Sequence, residues 1–175
     1  MVALAAPGSV EAALGKLQAG IFAEQGLVSA QALPPFVPVA FLPVGAQTRG
    51  LLASLNECVR APWSMRTTEI QWVESFLYVG IDSGGTWEAL RARTLEKCGA
   101  ETGPLFPARE GFFAGCGDAT HAQRNLIHPA VPSVTFSSGD LALVSIESPH
   151  GQGSWWRELY WEIVEHRPLR GRREK

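Results

Sequence analysis

Residues 32–45, ALPPFVPVAFLPVG, are almost wholly apolar, yet they carry prolines at 34, 35, 38 and 43. A proline has no backbone N–H and holds φ near about −65°, so four of them forbid a regular helix. Pro38 would also leave a rung of a central strand's ladder without a donor. What remains for so hydrophobic a stretch is an edge strand or an extended cover over the core.

The rest of the chain supplies partners for it. Ser9 is a candidate N-cap, and apolar residues at 10, 14, 17, 21 and 22 follow at helical spacing, with Gly26 placed to end the run. Residues 48–60 repeat the pattern with Leu51, Leu52, Leu55 and Val59, closed by Pro62. Residues 68–81, TEIQWVESFLYVGI, are rich in β-formers and predict one central strand, with Glu74 inserted in the aromatic face of Ile70, Trp72, Phe76 and Tyr78. DSGGTWEALRARTLEKCG then carries helix signals at both ends: Ser83 or Thr86 to cap, Glu88 in the first turn, Gly99 to stop. Residues 133–147 hold two short strand patterns. WWRELYWEIVEH, at 155–166, reads as a strand on its aromatic and β-branched content, antiparallel to 141–147. This order predicts an α+β fold: a single domain, a mostly antiparallel sheet, and two to three helices packed on one face.

The 175 residues suit one domain, expected over 1–166, with a basic, flexible C-terminal tail at 167–175. Hydrophobic residues make up 46% and charged residues 18%, which supports a real core and argues against a disordered, charged chain. The last ten residues hold five basic groups and one acidic group, leaving ten basic and sixteen acidic in the body. A basic tail on an acidic body is not the basic face of a nucleic-acid binder. No window approaches the ~18 apolar residues of a membrane span. The first residues have neither a basic start nor a long apolar run, so no signal peptide is expected. Cys58, Cys98 and Cys116 form no closed disulfide framework, which predicts free thiols and a cytoplasmic setting. Cys58 and Cys98 fall on apolar helical stripes and read as small buried hydrophobes.

Two segments carry candidate chemistry. Gly80-Ile81-Asp82-Ser83-Gly84-Gly85-Thr86 resembles the opening phosphate loop, GxDxGGT, of the sugar-kinase and actin-like ATPase superfamily. The likeness covers seven residues. In that family the loop joins two strands of a hairpin and a second domain closes over ATP; here it opens a helix, and the chain is short for such a clamp. A simple strand-to-helix turn is the other reading of these residues, and an anion site on free N–H groups a third.

The second segment, GCGDATHAQRNLIH, presents Cys116, Asp118, His121, Arg124, Asn125 and His128. A thiol nucleophile needs an imidazole beside it and the imidazole an orienting group. Cys116 would attack, His121 or His128 (or His150) would serve as base, and Asp118 or Asn125 would orient it. Cys116, His121 and His128 also offer three metal ligands with Asp118 as a fourth, at a spacing that is no established zinc signature. A polar loop held by side-chain hydrogen bonds to backbone explains the same residues. No metal or other cofactor is expected. The irregular stretch 100–132 is long for a loop and reads as a lid.

The third constellation is aromatic. There are six tryptophans, at 63, 72, 87, 155, 156 and 161. On strand periodicity Trp72 stands with Glu74, and Trp156 with Glu158, Tyr160 and Glu162. Rings interleaved with carboxylates attract flat or cationic molecules, although a half-exposed sheet face mixes the same residues. The leading expectation is a binding domain for a small aromatic or cationic organic molecule, its pocket lined by Trp72, Glu74, Trp156, Glu158, Tyr160 and Glu162. The alternatives are a cysteine-dependent hydrolase or deamidase using Cys116, and a protein-interaction or immunity-like protein without a small ligand. A homodimer through an exposed edge strand is the expected assembly, with neither nucleic acid nor membrane as partner.

Overall fold

A computed structural model describes residues 1–58, 63–99, 101, 105–116, 131, 133–137, 139–149 and 155–169. In chain order its elements are β1 (Val2–Ala5), α1 (Gly8–Gln25), β2 (Phe36–Ala40), α2 (Leu51–Cys58), β3 (Ser64–Val73), β4 (Phe76–Asp82), α3 (Thr86–Cys98), β5 (Gly111–Cys116), β6 (Thr135–Ser137), β7 (Leu141–Glu147) and β8 (Tyr160–Arg167). The fold is α+β in a single compact domain, and every strand pair is antiparallel. The strands divide between two four-stranded sheets, β2-β1-β7-β8 and β5-β4-β3-β6.

The three helices start and stop close to their local signals. α1 begins at Gly8 rather than after Ser9, because the carbonyl of Pro7 already accepts the N–H groups of Val10 and Glu11. Gly26, at φ 66°, ends it with its N–H on the carbonyl of Phe22. This left-handed cap suits glycine, which has no Cβ to clash. At α3, Ser83 Oγ accepts the N–H of Trp87 at 3.0 Å, and Gly99 closes the other end on the Leu95 carbonyl. Trp87, Leu90 and Thr94 form the buried stripe.

Three sequence expectations about strands are corrected. Residues 68–81 are not one strand. The chain reverses at Glu74–Ser75, and β3 and β4 pair through Val73↔Phe76 and Trp72↔Leu77. Glu74 takes the turn at φ 56°, where glycine or asparagine is the usual occupant, so nothing local announced it. Within 100–132, taken wholly as an irregular lid, residues Gly111–Cys116 are strand β5, paired along β4. At the last element, Trp155–Glu158 form a single 3-10 turn and the strand begins only at Tyr160. β1 had no local signal at all. Four residues, VALA, become a strand because β2 and β7 flank them.

One face of the first sheet carries Val2, Leu4, Val37, Val39, Leu141 and Leu143 into the main core. They join helical Val10, Leu14, Leu52, Leu55 and Leu90, and second-sheet Leu77, Val79 and Phe112. α2 packs against β7 and β8, and α3 against β2. The opposite face is floored by small side chains, Ala3 and Ala142, beside Phe36 and Val144. An aromatic cluster of Phe41, Tyr78, Phe106 and Phe113 fills a second core, with Phe106 and Phe113 stacked at 4.6 Å.

The two edges of the first sheet differ. β2, with Pro38 at its middle, is an edge strand as its prolines require, and α3 covers it. Trp87 Nε1 donates to the carbonyl of Pro38, and Arg91 Nη1 to that of Val39. The Phe41 N–H donates to the carboxylate of Glu101, which in turn pairs with Arg91 at 2.6 Å. On β8, Tyr160, Ile163 and Val164 stay exposed. The strand runs on through Arg167, and Leu169 beyond it is buried in the main core.

Candidate functional site

The glycine-rich turn is satisfied from within. It links β4 to α3, and the carboxylate of Glu110 lies against it. Glu110 accepts the Ser83 N–H at 2.8 Å and also the Ser83 hydroxyl, while Asp82 Oδ1 accepts the Gly84 N–H. Two of the backbone donors a phosphate would use, at Ser83 and Gly84, are therefore spent on the chain's own carboxylates. Burial pushes the Glu110 carboxyl above its usual range, and the neighbouring Glu88 adds to this, while the hydrogen bonds from Ser83 pull the other way. The arrangement is a strand-to-helix turn held by a carboxylate.

Of the candidate nucleophile set, Cys116 ends β5, with its backbone opposite Phe76. Asp118, His121, Arg124, Asn125, His128 and His150 lie outside the described residues, as do 117–130 of the expected lid. Among the described residues no three His, Cys, Asp or Glu side chains gather to hold a metal ion. Cys98 is a free thiol, half-buried against the main core, and burial raises its pKa.

The residues expected to line a pocket are spread over both sheets and a turn, with the Trp156 side chain outside the described set. Trp72 sits in the second sheet, half-buried against the main core. Glu74 is on the hairpin turn rather than beside Trp72 on a strand, because the reversal takes it out of the alternation. The backbone of Trp156 and Glu158 is in the 3-10 turn, and Glu158 is exposed; the Trp156 side chain lies outside the described set. Tyr160 and Glu162 do meet. With Ser145, Glu147 and Trp161 they border a hollow of about 280 Å³ at the β7–β8 edge.

A second cavity, of about 290 Å³, was not anticipated. Trp161 borders this one as well, and on its side the tall residues come from the two edge strands. Phe36 stands on β2, and Trp161 and Ile163 on β8. Between them β1 and β7 present Ala3, Ala142 and Val144, so no ring stands in the middle of the face. The rings of Phe36 and Trp161 meet across it edge to face, centroids 6.1 Å apart at 87°. Twist of the sheet draws two such distant corners together on one face. Pro34 and Pro35 stiffen the Phe36 wall, and the rim carries Glu11, from the first turn of α1, and Asp140. His166 Nδ1 lies 3.2 Å from Asp140 Oδ2. The cavity is thus apolar and aromatic at its base, with two carboxylates and one imidazole at its mouth. Trp161 was among the tryptophans singled out in the sequence, but its partner Phe36 was hidden in a proline-rich run with no period.

No protein-family model matches the chain, and no curated protein matches it. Among solved structures, TT0787 of Thermus thermophilus is similar, with a TM-score of 0.62 over 97% of each chain. The two sequences are 20% identical, so the likeness shows a shared fold alone.

Proposed function

We propose that this chain is a binding module for a small organic molecule that carries an aromatic ring and a positive charge, held in the cavity between Phe36 and Trp161. The observation that carries the reading is the edge-to-face ring pair standing over a cavity rimmed by Glu11 and Asp140. Ring faces attract cations and stack with flat groups, and one good contact of this kind adds roughly 0.5–2 kcal/mol. The volume lies near the lower end of small-molecule pockets, about 300 Å³, which favours a one- or two-ring ligand over a nucleotide. Phe36 is buried and Trp161 is 41% exposed, so one wall is preformed and the other is open to contact. This keeps the expected class of ligand and moves its site from the Trp72, Glu74 and Trp156 set to the Phe36–Trp161 cavity. The free thiol of Cys98 fits a reducing, cytoplasmic setting for the module.

The test is titration of the protein with a panel of aromatic cations, read by tryptophan fluorescence and by calorimetry. Saturable binding that Trp161→Ala abolishes, and that Asp140→Asn and Glu11→Gln each weaken, supports the cavity. Tyr160→Ala and Glu162→Ala report on the neighbouring hollow instead and leave affinity unchanged. A panel without a saturable response, or a response indifferent to Trp161→Ala, overturns the reading.

A further inference from the structure

We propose that the outer edge of β8 pairs antiparallel with β8 of a second copy of this chain, joining two four-stranded sheets into one of eight strands. The two edges of the first sheet prompt it. At β2, Trp87 and Arg91 occupy the carbonyls of Pro38 and Val39, and Glu101 the N–H of Phe41 just beyond the strand. Among the described residues β8 has no strand on its outer side, and it leaves Tyr160, Ile163 and Val164 exposed at 72%, 48% and 58%. An exposed strand edge is a template for pairing, and charges and a bulge along it restrict which strand can use it.

The charges on β8 decide which partner it fits. A register shift between Leu143 and Val144 leaves Val164 as an extra residue and resets the alternation. Glu162 lies opposite Ser145, Glu165 opposite Leu143 and Arg167 opposite Leu141, all on one face; Ile163, opposite Val144, and His166, opposite Ala142, are on the other. A two-fold axis between Val164 and Glu165 keeps each face in register with itself. It sets Glu162 against the partner's Arg167 on one face and Ile163 against the partner's His166 on the other. Symmetry makes each contact twice. A slip of two residues sets Glu162 against the partner's Glu165, also twice, and like charges directly opposite one another repel. Acid near the strand's start and base at its end therefore disfavour that slip and match the strand to its own reversed copy. The pairing is argued from backbone exposure and charge, so it does not rest on the ligand reading, although Ile163 and His166 also border the Phe36–Trp161 cavity.

Sedimentation velocity on a dilution series tests it, with Glu162→Arg, Arg167→Glu and the double reversal beside the parent. The expected result is a parent dimer that each single reversal weakens about tenfold or more, some 1.4 kcal/mol. The double reversal, which restores opposite charges across the axis, recovers the parent affinity. Amide exchange along β8 slows as protein concentration rises. A parent chain that is monomeric throughout overturns the proposal, and so does a double reversal that dimerises no better than the singles. Neither result reads ligand binding, because Glu162 and Arg167 are on the face of β8 opposite to Ile163 and His166.

Discussion

Phe36 and Trp161 lie 125 positions apart and on opposite edges of one sheet, yet their rings touch edge to face at 6.1 Å. Between them run two strands whose side chains on that face include Ala3, Ala142 and Val144, none of them aromatic. Their burial is unequal, with Phe36 4% exposed and Trp161 41%. Phe36→Ala is therefore expected to cost about 3–5 kcal/mol, as a buried aromatic does. Trp161→Ala should cost well under half of that. A double-mutant cycle in urea should return a coupling of roughly 0.5–1.5 kcal/mol for the ring pair.

The α3 edge clamp gives a second expectation. Arg91 pairs with Glu101 through both guanidinium nitrogens, and together they hold the Val39 carbonyl and the Phe41 N–H. Glu101→Ala leaves an arginine and a backbone N–H, both largely shielded from water, without their acceptor. A loss of about 2–3 kcal/mol in chemical denaturation is expected. Arg91→Lys should recover little, since an ammonium cannot reproduce the two-pronged contact.

Stability in acid should reflect Glu110. Its carboxyl titrates above the usual 4.5 because it is buried and near Glu88, so the folded state holds the proton more tightly than the unfolded chain. That contribution is full below the usual carboxylate range and is lost as pH rises through the folded value. Glu110→Gln keeps an oxygen for the Ser83 N–H and removes the titration. Its stability should be flatter with pH than the parent's from about 4.5 upward, as read by urea midpoints across a pH series.

Glycines separate into two classes with opposite expected signs. A Cβ on Gly139 would sit 1.7 Å from the carbonyl oxygen of Ala5, against the floor of the cavity, and backbone must move to admit it. Gly139→Ala should destabilise by about 1–3 kcal/mol. Gly15 and Gly20, inside α1, would meet nothing within 4 Å. Gly15→Ala and Gly20→Ala should each stabilise by about 0.5–1 kcal/mol. Thermal unfolding of the three variants checks both directions.

The sequence alone determined what depends on near neighbours. Helix ends at Gly26 and Gly99, the Ser83 cap and the edge character of the Pro38 segment all follow from backbone donors, φ preferences and apolar spacing within a few residues. The antiparallel pairing of 141–147 with the final strand was legible for the same reason, because both runs are short, β-rich and close in the chain. Tertiary structure alone decided the rest. Glu74 reverses the chain without a turn residue, because the cross-strand pairs on either side outweigh one left-handed backbone. β1 is a strand only because β2 and β7 hold it, and β5 only because β4 does. Strand periodicity assigns residues to faces but not faces to each other, so it could not say which of the expected aromatic residues stand together. Trp72 and Tyr160 belong to different sheets, while Phe36 and Trp161 share a cavity through the twist of one sheet and the small side chains on its middle strands. Which rings meet is a property of how the sheet curves and packs, and no local pattern encodes it.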